Sequence, residues 1–271
     1  MAENQMLAIV FFSIIFGLAL NKTNHLTGNL SDSFSKLNTV FLQLIVMIMS
    51  FAPLGVFCLI GKFVIADGLD IFQDVVTYVV LLITLLLFHA AFTYSFFLKV
   101  IGGLNPITFF KKMKDVILFA FSTSSSAATI PVTLKTANQD LGVNQNVASF
   151  VVPVGATINM DGTAIMQGLA TVFIAQMSGI DLTLFQYMQV VLLAVATSIG
   201  TAAVPSAGTI TLIIILQQFN LPLEAIGIIL AVDRVLDMIR TSVNVTGDAA
   251  IACIVAKTEN QLDENIFNSK A

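Results

Sequence analysis

Apolar residues gather along this chain into long blocks, at about residues 6–20, 38–66, 73–104, 116–134, 144–178, 185–220 and 223–256, with short polar links between them. Several blocks exceed the ~20 residues that carry an α-helix across a hydrocarbon core. Runs such as Tyr78-Val-Val-Leu-Leu-Ile-Thr-Leu-Leu-Leu-Phe88 show no alternation of period two, which excludes an antiparallel barrel and predicts helices. The expected fold class is an all-α polytopic membrane protein of roughly six helical elements. The first block is short for a full span, which predicts either a re-entrant start or a chain missing its beginning. Met1-Ala-Glu-Asn-Gln5 lacks a basic n-region and no small-residue cleavage site follows, so a secretory signal is not expected.

Two blocks break the apolar pattern in the same way. Phe119-Ala-Phe-Ser-Thr-Ser-Ser-Ser-Ala-Ala-Thr-Ile-Pro131 and Thr197-Ser-Ile-Gly-Thr-Ala-Ala-Val-Pro-Ser-Ala-Gly208 place hydroxyls, small residues and a proline in mid-segment, where a continuous helix is weakened. The lysines agree with a turn at each. Lys22, Lys36, Lys111, Lys112, Lys114, Lys135 and Lys257 mark cytoplasmic links, whereas the links carrying Asp67, Asp181 and Glu224 are acidic. That assignment requires 116–134 and 185–220 to enter and leave on one side, so each is expected to be a re-entrant helical hairpin whose tip faces a cavity. Each hairpin precedes an apolar helix with polar residues in it, Pro153-Val-Gly-Ala-Thr-Ile-Asn-Met-Asp-Gly-Thr163 and Asp233 to Asp248. Both helices are expected to be discontinuous. Hairpin plus discontinuous transmembrane helix, occurring twice from opposite sides, is the pattern of inverted repeats with a binding site between them.

The second of these helices holds both arginines, Arg234 and Arg240. Positions 233, 237, 240, 241, 244 and 248 fall within an arc of roughly 100° at 3.6 residues per turn. Charge in a membrane span is costly unless it meets a partner or a watery cavity, so this stripe is a candidate solute or ion site. Ion pairs that join helices are the plainer alternative, but Asp237, Arg240, Thr241 and Asn244 offer more donors and acceptors than pairing uses. Helix N-termini and the Arg240 fork suit a carboxylate, while unwound carbonyls and carboxylates suit a hard cation such as Na⁺.

Composition supports this picture. Of 271 residues, 57% are hydrophobic and 10% charged, with mean hydropathy +0.93, far from a soluble balance. The net charge of −4 selects no partner class, and no nucleic-acid partner is expected. Cys58 and Cys253 stand in apolar sequence without CxxC or Cys/His spacing and are read as packing residues. His25, in a polar loop, and His89, in an apolar helix, are read as solvated or internally satisfied.

Ser124-Ser-Ser-Ala-Ala-Thr-Ile-Pro131, Pro153 to Thr163, Gly200-Thr-Ala-Ala-Val-Pro-Ser-Ala-Gly208 and Asp233 to Asp248, with Phe51-Ala-Pro-Leu-Gly-Val-Phe57 upstream, together resemble the dicarboxylate/amino acid:cation symporter family, the sodium-coupled glutamate and aspartate transporters. The resemblance covers nearly the whole chain but about the C-terminal two-thirds of the family's pattern, without its first three spans and the start of the fourth. It implies that the tips at Ser124, Ser125 and Ser126 and at Val204 to Gly208 close over the substrate, the second as external gate. It implies that Arg240 holds the substrate's side-chain carboxylate, Asp237 its amino group and Asn244 its main-chain carboxylate, with contacts from Thr163 and Thr241. Sodium would lie at Gly155, Asn159, Asn244 and Asp248, at a second site through Thr157, Met160, Ser198, Ile199 and Thr201, and at a third touching Asn159 and Asp161. A homotrimer with elevator-like transport domains is likewise implied. Many relatives carry an arginine beside the serine run or at the position of Met238; here Thr123 and Met238 stand there, which leaves Asp237 without that counter-charge.

The expected organisation is partial scaffold helices over 1–66, a transport domain over 67–258 and a polar cytoplasmic tail over 259–271 that looks disordered. The expected function is sodium-coupled symport of an acidic amino acid in the plasma membrane, with no enzymatic step. A proton- or sodium-coupled carrier of C4-dicarboxylates, or of neutral amino acids, is the alternative within transport. Asp161, Asp237 and Asp248 also raise an intramembrane aspartyl protease, which needs two carboxylates sharing one water; Arg240 one turn from Asp237 favours ligand capture instead.

Overall fold

The computed structural model describes residues 6–23, 28, 30–49, 51, 54, 55, 57, 58, 61, 65 and 71–269. His25, the link at 66–70, and Ala52, Pro53 and Val56 of the Phe51–Phe57 stretch lie outside them. The chain separates into two compact units, residues 1–58 and 59–271. In the first, α1 (Met6–Lys22) and α2 (Leu30–Met49) meet through Phe16 and Phe34, whose rings lie edge to face at 5.3 Å.

The second unit opens with an apolar helix in three parts: α3 (Ile71–Phe88), a π-helical turn (His89–Tyr94) and α4 (Ser95–Val100). Tyr78, Leu82, Leu86, Tyr94 and Leu98 are buried along it. A repeat of four drifts about 40° per step on a 3.6-residue helix, and the wider π turn absorbs part of that drift. Phe88, Phe92 and Phe96 stack along the exposed face. Phe72–Val100 is the one helix among the described residues long and apolar enough to cross a bilayer; Leu184–Ile199 and Ala207–Gln218 are apolar but shorter. Short apolar helices are what a hairpin that stops part-way produces.

Two helical hairpins follow. The first joins α5 (Pro106–Thr123) to α6 (Ser126–Gln139). Its tip is two residues, Ser124 in the left-handed region at φ 51° and extended Ser125, whose side chain caps α6 by accepting from the Ala128 N–H. The second joins α9 (Leu184–Ile199), which starts on a Thr183/Gln186 capping box, to α10 (Ala207–Gln218) through the longer tip 200–206. Between them run α7 (Gln145–Ile158) and α8 (Asp161–Met177), one helix broken at Asn159 and Met160. The break falls where the Asn-Met-Asp-Gly sequence places it, though Asp161 and Gly162 already belong to the helix beyond.

Three expectations are corrected here. The described residues contain twelve α-helices rather than about six, because tips and breaks divide the apolar blocks. The second polar helix is not discontinuous: α11 (Ile226–Thr258) runs unbroken for 33 residues through Asn244 and Gly247. Its interior lacks proline, and Ser242 and Thr246 return their hydroxyl hydrogens to Met238 O and Ser242 O, so no local feature forces the backbone open. Residues 240–250 are buried, making α11 the axis against which α3, α5, α7 and α8 pack.

The third correction concerns the tail, which is structured over its described residues 259–269. Val143 and Leu262 form a bridge, the Asp263 N–H donates to Gly142 O, and Asp263 caps α12 (Glu264–Asn268). Phe267 is fully buried. Lys112, which the sequence places at a cytoplasmic link, is itself buried and donates to Asp140 O at 2.9 Å, Ile266 O at 2.6 Å and Ser269 Oγ at 3.1 Å.

Candidate functional site

The stripe on α11 is buried in full: Asp233, Asp237, Arg240, Thr241, Asn244 and Asp248. Arg234 is on the exposed side. Arg240 Nη2 donates to Asp237 Oδ1 at 2.5 Å, and Nη1 lies 3.6 Å from Asp233 Oδ1. Losing one partner of such a buried pair costs about 3–5 kcal/mol, since the other charge is stranded. The second hairpin is stitched to the same carboxylates. The Ser206 N–H donates to Asp237 Oδ2 at 2.9 Å, and Thr209 Oγ1 donates to Asp233 Oδ1 at 2.6 Å. Asn244 joins α11 to the start of α8, accepting from the Gly162 N–H at 2.8 Å and donating to Thr163 Oγ1 at 3.4 Å.

A cavity of about 10 Å³ remains among these groups, the room of roughly one water. Of the substrate-contact residues expected from the sequence, Ser124, Thr163, Val204, Gly208, Asp237, Arg240, Thr241 and Asn244 line it. Ser125 does not. Its hydroxyl donates to Ala203 O at 2.8 Å and so latches one hairpin tip to the other. Two buried polar atoms of the lining make no hydrogen bond, Ser124 Oγ and Arg240 Nη1. Buried polar atoms are normally satisfied, so these two mark where an acceptor fits.

The first expected cation set comes together around Asp248. Its Oδ1 accepts from Asn159 Nδ2 at 2.9 Å, and Asn159 Nδ2 also lies 3.3 Å from Asn244 O. Gly155 permits this approach, because a Cβ there would sit 2.6 Å from Asp248 Oδ1. In the second set the one bond between members, among the described residues, is the Thr201 N–H donating to Ser198 O at 3.0 Å. Thr157 Oγ1 donates to Val154 O, Ser198 Oγ to Val195 O and Thr201 Oγ1 to Thr197 O, each within its own helix or its end. Met160 lines the cavity and Ile199 is exposed. In the third set Asp161 Oδ2 lies 3.1 Å from His89 Nε2 and accepts from Tyr94 Oη at 3.2 Å, and among the described residues no hydrogen bond joins Asp161 to Asn159.

With that geometry in place, comparison with known proteins decides the family. The sodium:dicarboxylate symporter family matches residues 1–258. This chain belongs to that family. It is 41% identical over 251 residues to human excitatory amino acid transporter 2, covering 92% of this chain and 44% of that protein. Mouse excitatory amino acid transporter 3 is 38% identical over 266 residues, covering 97% and 51%, and a Caenorhabditis elegans excitatory amino acid transporter is 38% identical over 251 residues, covering 92% and 50%. The chain thus spans about half the length of the curated relatives it matches. Sodium:dicarboxylate symporters are all-α membrane transporters, in keeping with a described structure of helices alone apart from one isolated bridge.

Several residues of the site were not legible from spacing. Gln167 is fully buried and holds both arms of the second hairpin, donating to Gly208 O and Thr211 Oγ1 and accepting from Thr197 Oγ1. A glutamine alone in an apolar block was the available signal. His89 and Tyr94 reach Asp161 from more than sixty positions away in sequence, and no local pattern announces that.

Proposed function

We propose that the protein is a sodium-coupled symporter of acidic amino acids, glutamate or aspartate. The observation that carries the proposal is the pair of unsatisfied atoms, Arg240 Nη1 and Ser124 Oγ, in a cavity closed by both hairpin tips. In this reading the substrate's side-chain carboxylate takes the Arg240 fork bidentately. Asp237, displaced from Arg240, receives the ammonium group, and Asn244 receives the main-chain carboxylate beside Thr163 and Thr241. Breaking the Asp237–Ser206 bond frees the second hairpin tip, so substrate arrival and gate movement use one carboxylate. Carboxylates outnumber the single guanidinium in this region, and an acidic substrate adds to the excess. Na⁺ held at Asn159, Asn244 and Asp248, at Asn159 and Asp161, and through Thr157, Met160, Ser198, Ile199 and Thr201 offsets that charge. Each ligand then raises the affinity for the other, which is the thermodynamic form of symport. The names of the relatives, excitatory amino acid transporters, support the substrate class. A trimer in the plasma membrane, with the two hairpin-plus-helix repeats inverted, belongs to the same proposal.

A C4-dicarboxylate carrier would use Arg240 equally well, but it leaves Asp237 with no ammonium to bind. The test uses protein expressed from its complete reading frame and reconstituted in liposomes. Labelled L-aspartate accumulates under an inward Na⁺ gradient, and unlabelled succinate competes poorly. Equal competition by succinate would transfer the proposal to dicarboxylates, and accumulation indifferent to Na⁺ would end it.

A further inference from the structure

We propose that the phenol oxygen of Tyr94 is a direct ligand of the Na⁺ held by Asn159 and Asp161, supplied by the π-helical turn of the first long apolar span. The inference rests on the reading of Asn159 and Asp161 as a cation site.

Tyr94 is 3% exposed, and a buried phenol needs a partner for its hydroxyl. It has two acceptors in reach, Asp161 Oδ2 and Val243 O, each at 3.2 Å. A phenol has one hydrogen and two lone pairs, so it satisfies one acceptor at a time, and both distances exceed the usual 2.7–2.8 Å of an O–H···O bond. A cation beside Asp161 resolves this. The hydrogen stays on Val243 O and a lone pair turns to the ion. Asn159 has committed its amide hydrogens to Asp248 Oδ1 and Asn244 O, and its Oδ1 makes no hydrogen bond among the described residues, which leaves that oxygen for the same ion.

The close approach of these side chains depends on Gly247. A Cβ there would stand 2.7 Å from Tyr94 Oη and 2.6 Å from Asn159 Nδ2, so any larger residue pushes the phenol and the amide out of place. The π turn is what brings the phenol to this point. It sets His89 and Tyr94 on the same carboxylate oxygen, and such turns recur at functional positions. His89 Nε2 steadies Asp161 from one side, and the ring of Tyr94 packs edge to face on the imidazole at 5.0 Å. Tyr94 and Asp161 with the Asn159 amide then make an all-oxygen set, the kind a hard cation selects.

The test reads Na⁺-dependent thermal stabilisation of the purified protein from the complete reading frame, without amino acid present. Tyr94→Phe removes only the oxygen. The melting temperature in Na⁺-free medium is expected to stay near wild type, while the Na⁺ concentration for half-maximal stabilisation rises about tenfold, the scale seen when one group around a metal is lost. Gly247→Ala, whose methyl displaces the Tyr94 phenol from Asp161 while keeping its oxygen, is the second variant should Tyr94→Phe not fold, and the same rise is expected. Asp161→Asn is the control. If Asp161→Asn abolishes the Na⁺ response while Tyr94→Phe and Gly247→Ala leave the curve unmoved, the assignment of Tyr94 is overturned. If the wild-type protein shows no Na⁺ response, or Asp161→Asn leaves it intact, the reading of the cation site itself fails.

Discussion

The two hairpins carry similar sequence at their tips and are held in different ways. The first turns in two residues and is tied at its base, where the buried ammonium of Lys112 bonds to the end of its own second arm and to the C-terminal segment. The second turns through seven residues, 200–206, and its tip and upper arm are held by side chains of other helices: Asp237, Asp233 and Gln167. Asp237 and Asp233 are also the partners of Arg240. The first hairpin is therefore anchored away from the charges of the site, and its tip meets the site through the Ser125 hydroxyl on Ala203 O. The second is closed by the same charges that an acidic ligand would reorganise, so its stability is subordinate to ligand chemistry.

The sharpest way to break this comparison is Asp237→Asn, which keeps shape and removes charge. It should cost about 3–5 kcal/mol by leaving Arg240 short of a partner, abolish uptake, and speed amide exchange in 200–206 while the first tip keeps its protection. Equal loosening of both tips would erase the distinction. Lys112→Met should act on the other hairpin alone, lowering stability by about 2–3 kcal/mol through lost charged hydrogen bonds. Its exchange signature should lie in 260–269 and the base of the first hairpin, with ligand affinity retained. A smaller change, Gln167→Leu, removes the clasp on the second hairpin for about 1–2 kcal/mol, read as a lower melting temperature with faster exchange confined to α10 and the preceding tip. Thr183→Ala strips the capping box at the far end of that hairpin. It should cost about 1 kcal/mol in melting temperature and leave transport unaltered.

The legible parts of the fold were those signalled locally. Hydroxyl-bearing and small residues with a following proline marked both hairpin tips, and Asn159-Met160 marked a true break, with non-helical backbone at both residues. Asn244-Val-Thr-Gly-Asp248 carries the same kind of signal and is helical. There Asn244 and Asp248 satisfy their side chains across the interface, on the Gly162 N–H and Asn159 Nδ2, and the backbone has no reason to unwind. The tail misled for a related reason. Its polar composition hides Phe267, which is buried, and Asp263, which caps a helix. Sequence pattern registers which side chains are polar within an apolar block. It does not register which distant backbone group will meet them, and that decides between a break, a clasp and a site.

The central claim is that Arg240 on α11 receives the acidic group of the substrate. Titration calorimetry of L-aspartate into the reconstituted protein, wild type against Arg240→Ala, tests it most directly. The wild type should bind only in Na⁺, and the variant should bind at least about 100-fold more weakly, matching the loss of roughly 3 kcal/mol for a buried charged contact. Aspartate affinity unchanged in Arg240→Ala at saturating Na⁺ would contradict the account.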